Sequence, residues 1–422
     1  MSVVSREIEA QVRKIGSADV VVGIPSYNNS RTIARVVEAM ASGLKKYFPE
    51  LKSVIINSDG ASIDSTTYKF MNSHTPRGIT KLAINYNGPS GKGSALKTVF
   101  EIAKLLGAHI CVVTDADSRS ITPEWANQLV SPVYYHNFGF VTPLYLRDKH
   151  DATITNSLVY PMTTALYGLR IRQPIGGDFA FSNGFLQVLN QEIYWDMFTD
   201  IYKFGVDIWM TTTAICEGFR ICQTALGTKI HDQKSPGIDL ASMFKQVVGT
   251  LFELFRYYPH KWKIVKYSRE VEIFGDYQFT EVEDVHINPE DLCKIFSEAQ
   301  SEKFDLWERV LSPDIFKEVN RLAACSFEDF ELPTDLWAKL VYDFASFYAF
   351  NKEFDSALVL ESMVPLYLGR VASSVKEMSL ISDELADCFV QGTANTFERL
   401  KSHLLKRWEI LSEKTRGNDK GS

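Results

Sequence analysis

The sequence predicts an α/β fold: a Rossmann-like, doubly wound sheet over roughly residues 1–240, followed by a mostly α-helical region. Three observations predict it. From Asp19 onward, short β-branched runs alternate with longer amphipathic segments, the pattern of a parallel sheet flanked by helices. Polar residues with site chemistry, Pro25, Asp59, Lys92, Asp115 and Asp117, all fall at strand ends or just after them, where such sheets place their ligands. Beyond residue 288, nearly every stretch reads as amphipathic helix.

The elements follow in order. VVVGIP is a strand ending at Pro25, and a helix capped by Asn29 or Ser30 runs through TIARVVEAMASGLKKYF with apolar residues on one face. SVIINS is the second strand, followed by the turn SDGASIDST, whose residue types cap helices and bind anions through backbone N–H groups. KLAINY is the third strand. A small-residue loop, Gly88 to Gly93, then leads into a helix over Ser94 to Leu106, and HICVVTDAD is the fourth strand. Further on, FGFVTPLYL reads as a strand, Thr155 to Leu169 as a helix, RQPIGGD as a loop before a helix near Ser182, and FRICQTALG as a strand delivering His231 to a loop. The segment MFKQVVGTLFELFRYY is helical by period, and the polar end EKTRGNDKGS is expected to be disordered from residue 411. The domain reading is therefore 1–240, with halves at about 19–120 and 121–240, then 241–410 helical and 411–422 without structure.

Composition bounds the function. With 422 residues, 45% hydrophobic and 23% charged, the chain can bury a sizeable core. A net charge of -7 argues against nucleic acid held through its phosphates. The six cysteines contain no CxxC pair, so neither a disulfide framework nor a structural zinc site is indicated. The N-terminus lacks the apolar core of a signal peptide, and no stretch reads as the ~20 apolar residues of a membrane span. The expectation is a cytoplasmic protein without a membrane partner.

Asp115-Ala116-Asp117 stands where CVVT ends. Two residues apart on an extended chain, the carboxylates point the same way and can address one diphosphate-bound cation, Mg²⁺ or Mn²⁺, that favours hard oxygen donors. A turn or cap role is the plain alternative for either Asp. His231, in KIHDQ, can complete the coordination with Asp232 as an orienting partner, although a lone histidine is more often structural. Gly91-Lys92-Gly93 can bring backbone and an ammonium to a phosphate at a helix N-terminus. A Walker A reading fails, because Tyr86 occupies its first glycine position and Gly93 follows the lysine. Gly176-Gly177-Asp178 suggests a tight turn carrying a carboxylate to a pocket, Asp207 sits at a helix start, and Arg147 can bind an anion bidentately.

Taken in order, PSYNN, SDGAS, GPSGKGSAL and VTDADS resemble the nucleotide-sugar half of glycosyltransferases of the GT-A fold. LYLRDKHDATITNSLVYPM, RQPIGGDFAFS, FGVDIWM and KIH resemble the retaining enzymes that make glucosylglycerate, glucosyl-3-phosphoglycerate and mannosylglycerate. The resemblance covers roughly residues 19 to 250. It implies that Asp117 and His231 hold the metal, with Asp115 on the donor's ribose and sugar side. It further implies that Pro25, Asp59, Gly60, Lys92 and Ala116 line the donor pocket. Arg147, Thr153, Thr155 and Ile175 would hold the acceptor, and Asp178 and Asp207 would lie by the transferred sugar as catalytic residues. Thr153 stands where phosphoglycerate-using enzymes resemble GGRVTE with an arginine, which favours an unphosphorylated acceptor such as D-glycerate.

The implied activity moves glucose or mannose from UDP-glucose or GDP-mannose to a small hydroxy acid, in a protein expected to be a homodimer. Glucosyl-3-phosphoglycerate synthesis is the near alternative. A sugar nucleotidyltransferase is a rival from another class, but IPSYNNSRT stands where those enzymes carry a basic Gly-rich loop. A non-catalytic nucleotide-sugar-binding protein is the second rival, which intact Asp115, Asp117 and His231 argue against.

Overall fold

The computed structural model describes residues 4–231, 238–276, 282–351 and 353–418. The chain divides into two compact units: Met1–Arg147, Ile171–Lys234 and Glu270–Glu283 form the first, and Asp148–Arg170, Ser235–Arg269 and Asp284–Ser422 the second.

The first unit is built on strands β1 (Val20–Ser26), β2 (Ser53–Asp59), β3 (Ile79–Asn85), β4 (Ile110–Val113) and β5 (Phe140–Leu146). After β6 (Leu169–Arg170), which belongs to the second unit, come β7 (Phe179–Ser182), β8 (Ile221–Thr228), β9 (Arg269–Glu270), whose Arg269 is counted with the second unit, and β10 (Glu272–Phe274). The main sheet has the order β10-β8-β5-β7-β4-β1-β2-β3, and β6 pairs with β9 in a separate ribbon. All neighbours in the main sheet are parallel except β7, which runs antiparallel to both β4 and β5. The expected α/β architecture is therefore present, with one antiparallel strand, Phe179–Ser182, where the sequence pointed from loop directly to helix. β1 lies between β2 and β4, so the chain reverses its winding direction there. Ligands of doubly wound sheets gather beyond the strand ends at this switch.

The strands read as β-branched runs because both faces are covered. Val20, Val22, Ile24, Ile55, Ile110 and Val112 are buried with Val36, Val37, Met40 and Leu44 of the helix Ile33–Tyr47 and Trp125, Leu129 and Val130 of the helix Glu124–His136. Pro132 inside the latter has no N–H for the Gln128 carbonyl, and the Thr224 hydroxyl of β8 donates to that carbonyl instead, at 2.9 Å.

The second unit is helical. Its first segment departs from the expected single helix: Thr155–Val159 is a π turn that runs into the helix Tyr160–Tyr167, closed by Gly168 at φ +74°. Pro161 leaves the Ser157 carbonyl without its helical donor, and the Trp337 indole fills that place at 2.7 Å. Residues 148–170 pack with this unit through such bonds, including Tyr160 to Gln391 and Arg170 to Asn395, which is why the first unit is not the continuous stretch 1–240. The helix Lys401–Asn418 extends through eight residues of the segment expected to lack structure. Trp408 anchors it, packing against Phe255, Trp262 and Phe350. Among the described residues one helix, Ser356–Met378, is long and apolar enough to cross a membrane, which the sequence reading did not single out. Most of its apolar window is buried within the second unit.

Candidate active site

The β1 and β2 ends are braced by Asp59. It is 2% exposed, and its carboxylate accepts from the Ser26 hydroxyl at 2.8 Å and from both the hydroxyl and the N–H of Ser62 at 2.7 Å. Through these bonds Asp59, expected to line the donor pocket, braces the rim. Asn28, at φ +56°, donates its N–H to the Ser62 hydroxyl, while its side-chain oxygen accepts the Ile63 N–H, so the two loops clasp each other. Pro25 is half-buried on β1, and Gly60 donates its N–H to the Ser26 carbonyl at 2.8 Å. Ala116 is buried, and its carbonyl accepts the Thr32 hydroxyl at 2.7 Å.

Beside this rim, five charged side chains alternate in sign. Lys92, first residue of the helix Lys92–Leu105, places Nζ 2.9 Å from Asp115 Oδ1 and 2.9 Å from Asp207 Oδ2. Lys229 Nζ lies 3.5 Å from Asp115 Oδ2 and 2.5 Å from Asp178 Oδ2. Burial alone would lower the pKa of each ammonium; the carboxylates outweigh it, Asp115 and Asp207 for Lys92, Asp178 and Asp115 for Lys229, and both are held above the ordinary 10.5. Both stay charged at neutral pH. For Asp207 the balance falls the other way: burial raises its pKa above 3.8, and Lys92 offsets this only in part. Its Oδ1 is buried with no hydrogen-bond partner among the described residues.

Asp178 sits beneath this chain and has no exposed surface. The Thr114 hydroxyl, the Asp115 N–H, the Tyr145 hydroxyl and Lys229 all donate to it. Burial, then the Asp178 carboxylate, push the Tyr145 phenol well above its ordinary 10.0. Asp178, expected to lie by the transferred sugar as a catalytic residue, is thus an enclosed carboxylate holding four donors, and it fixes the backbone and counter-ion of Asp115. Gly177, at φ +88°, permits the approach; a Cβ there would lie 2.0 Å from Asp115 Oδ2.

Asp117 is half-buried two residues beyond Asp115. The chain at His231 is laced to the same loop: Arg119 N–H donates to the Ile230 carbonyl at 2.8 Å, Ile230 N–H to the Ser120 hydroxyl at 3.0 Å, and Arg119 Nη2 to the His231 carbonyl at 3.2 Å. The half-buried imidazole has Nε2 3.3 Å from Arg147 Nη1. Arg147 also lies over the Tyr145 ring at 5.1 Å. Among the described residues no three His, Cys, Asp or Glu side chains converge as a ready-made metal cage. Asp117 and His231, the residues expected to hold a metal, are a hard carboxylate and an imidazole, donor types that Mg²⁺ and Mn²⁺ accept. Asp232 lies outside the described residues.

The acceptor residues are not gathered in one unit. Arg147 belongs to the first, as does Ile175, half-buried in the turn Gln173–Gly177 whose Pro174 carbonyl accepts the Thr211 hydroxyl at 2.7 Å. Thr153 and Thr155 belong to the second. The Thr153 hydroxyl is 2.6 Å from that of Tyr367, beside a small pocket that Lys149, His150 and Arg370 also line, and Thr155 is buried in the π turn.

Sequence reasoning missed Lys229, Tyr145 and Thr114. For Lys229 a signal was present: it precedes His231 by two residues at a strand end, as Asp115 precedes Asp117. Tyr86, which spoils the Walker pattern, has a positive use, since its hydroxyl accepts the Gly91 N–H at 3.0 Å.

No family model and no curated protein matches the chain. Among solved structures it is similar to glucosyl-3-phosphoglycerate synthase from Mycobacterium tuberculosis. The complex with Mn²⁺, UDP and glucosyl-3-phosphoglycerate aligns at 22% identity, covering 58% of this chain and 83% of that one, with a TM-score of 0.44. The complex with Mn²⁺, UDP-glucose and phosphoglyceric acid aligns at 20% identity, covering 60% and 85%, with a TM-score of 0.43. The complex with Mg²⁺ and UDP aligns at 20% identity, covering 58% and 83%, with a TM-score of 0.42.

Proposed function

We propose that this protein is a metal-dependent glycosyltransferase that moves a hexose from a nucleoside diphosphate sugar to a small anionic hydroxy acid, with retention of anomeric configuration. The observation that carries this reading is the alternating chain Asp207–Lys92–Asp115–Lys229–Asp178 beyond the parallel strand ends, with Asp117 and His231 beside it. It combines buried cations that can meet a diphosphate with carboxylates that can meet sugar and ribose hydroxyls.

The residues divide the work. Lys92, at the head of a 14-residue helix, adds its ammonium to the positive end of the helix dipole where negative charge grows on the leaving diphosphate. A divalent cation held by Asp117 and His231 would supply further positive charge to those oxygens. Asp207 Oδ1, buried without a donor, is suited to accept a hydroxyl of the transferred sugar, and Asp115 one of the donor's ribose or sugar. Arg147 provides the charge for the acceptor carboxylate. Asp178 is enclosed and Asp207 is tied to Lys92, so neither is presented as a covalent nucleophile. The acceptor hydroxyl then attacks from the face the diphosphate leaves, and its proton passes to the departing phosphate oxygen.

D-Glycerate as acceptor, UDP-glucose or GDP-mannose as donor, a homodimeric state and a cytoplasmic place of action belong to the same proposal. A donor-by-acceptor screen with Mg²⁺ and Mn²⁺, reading released UDP or GDP and the product's anomeric proton, tests it. Acceptor-dependent nucleotide release with a retained anomer is expected. Pyrophosphate release from a nucleoside triphosphate, or no release with any pair, would overturn it.

A further inference from the structure

We propose that Lys97 is a positioning residue that sets the Lys92–Asp207 ion pair through the turn Thr199–Tyr202. The inference rests on reading that pair as part of the donor site. Lys97 follows Lys92 by five residues on the same helix and is 4% exposed. A lysine so enclosed needs partners. Among the described residues, one segment surrounds its ammonium: Nζ lies 3.1 Å from Glu192 Oε2 and 3.5 Å from the Tyr202 hydroxyl, above the rings of Trp195 at 5.2 Å and Tyr202 at 5.5 Å.

That segment rests directly on the glycine loop. Gly93 donates its N–H to the Lys203 carbonyl at 3.1 Å, and the Ser94 hydroxyl meets the Tyr202 carbonyl at 3.5 Å. A Cβ on Gly91 would lie 2.4 Å from the Tyr202 carbonyl oxygen, and one on Gly93 1.7 Å from that of Ile201. Backbone lies on backbone with no side chain between, so a shift of the turn is a shift of Lys92. At its other end the turn leads into the helix Val206–Cys216, with Asp207 as second residue and Trp209 packed on Trp195 at 5.0 Å between centroids. One buried cation thus holds the carriers of both Lys92 and Asp207.

The test compares Lys97→Met with Lys97→Arg in the full chain, reading hydrogen exchange of the Gly93 amide and calorimetric binding of UDP with Mn²⁺. Lys97→Met should speed Gly93 exchange about tenfold and weaken UDP binding about fivefold, and Lys97→Arg should restore most of both. In an Asp207→Asn background the effect of Lys97→Met on UDP binding should fall below about twofold, because the pair it positions is gone. Unchanged Gly93 exchange in a folded Lys97→Met chain, or an equal loss of binding in both backgrounds, would overturn the role. If Lys97→Met does not fold, Glu192→Gln and Tyr202→Phe remove its anchors singly and must give the same exchange change. A wild-type chain that binds no diphosphate would defeat the proposed function, while Gly93 exchange would still decide the role of Lys97.

Discussion

Both carboxylate oxygens of Asp115 face lysines, Lys92 on one side and Lys229 on the other. Asp115 is thereby balanced by two protein cations, and Asp117 also acts on Lys229 through its charge. The arrangement depends on Lys229, the counter-ion of a fully enclosed Asp178. Lys229→Met should cost about 3–5 kcal/mol of stability in urea unfolding, because it strands a buried carboxylate. Adding Asp178→Asn should recover more than half of the loss; a cost below about 1 kcal/mol for Lys229→Met would show that the pair is no anchor. The sequence reading put Asp115 and Asp117 on one side of an extended strand end, but β4 stops at Val113 and both residues lie in the loop beyond it, with Asp117 in a turn. Lys229 was not assigned, because its partners are 51 and 114 residues away and only the sheet order brings them together.

Among the elements, β1, β2, β4, β5 and β8 were legible because their apolar runs are buried, and the half-buried β3 was read from KLAINY, whereas the three-residue β10, parallel to β8 and largely exposed, was not. The four-residue β7 was not: FAFS is too short to show a period, and its antiparallel course follows from its place between β4 and β5. Its entry turn matters most at Gly177. Gly177→Ala would force a side chain into a left-handed backbone and against Asp115 Oδ2, at 2.0 Å. A loss of about 1–3 kcal/mol in thermal or urea unfolding is expected from that strain alone. Wild-type stability in Gly177→Ala would mean that Asp115 does not rest on this turn. The segment 155–167 shows the reverse case, in which a helix was legible but its π turn was not. The Trp337 indole that satisfies Ser157 lies 180 residues away.

At the scale of the whole molecule, the change of character near residue 240 was legible in the sequence, but the membership of the units was not. The apolar residues of 148–170 read equally well as part of an α/β layer, and only their bonds to the later helices assign them to the second unit. The candidate site needs β1, β2, β4 and β8 to end on one edge, and the first unit supplies all four. The central claim is that this edge holds a nucleoside diphosphate through a divalent cation on Asp117 and His231. Calorimetric titration of UDP and GDP into the full chain, with Mn²⁺ or with EDTA, tests it most directly. Saturable binding of one nucleotide with Mn²⁺, lost in EDTA and weakened at least about tenfold by Asp117→Ala or His231→Ala, is predicted. Equal binding with Mn²⁺ and with EDTA, or unchanged binding in both variants, would contradict it.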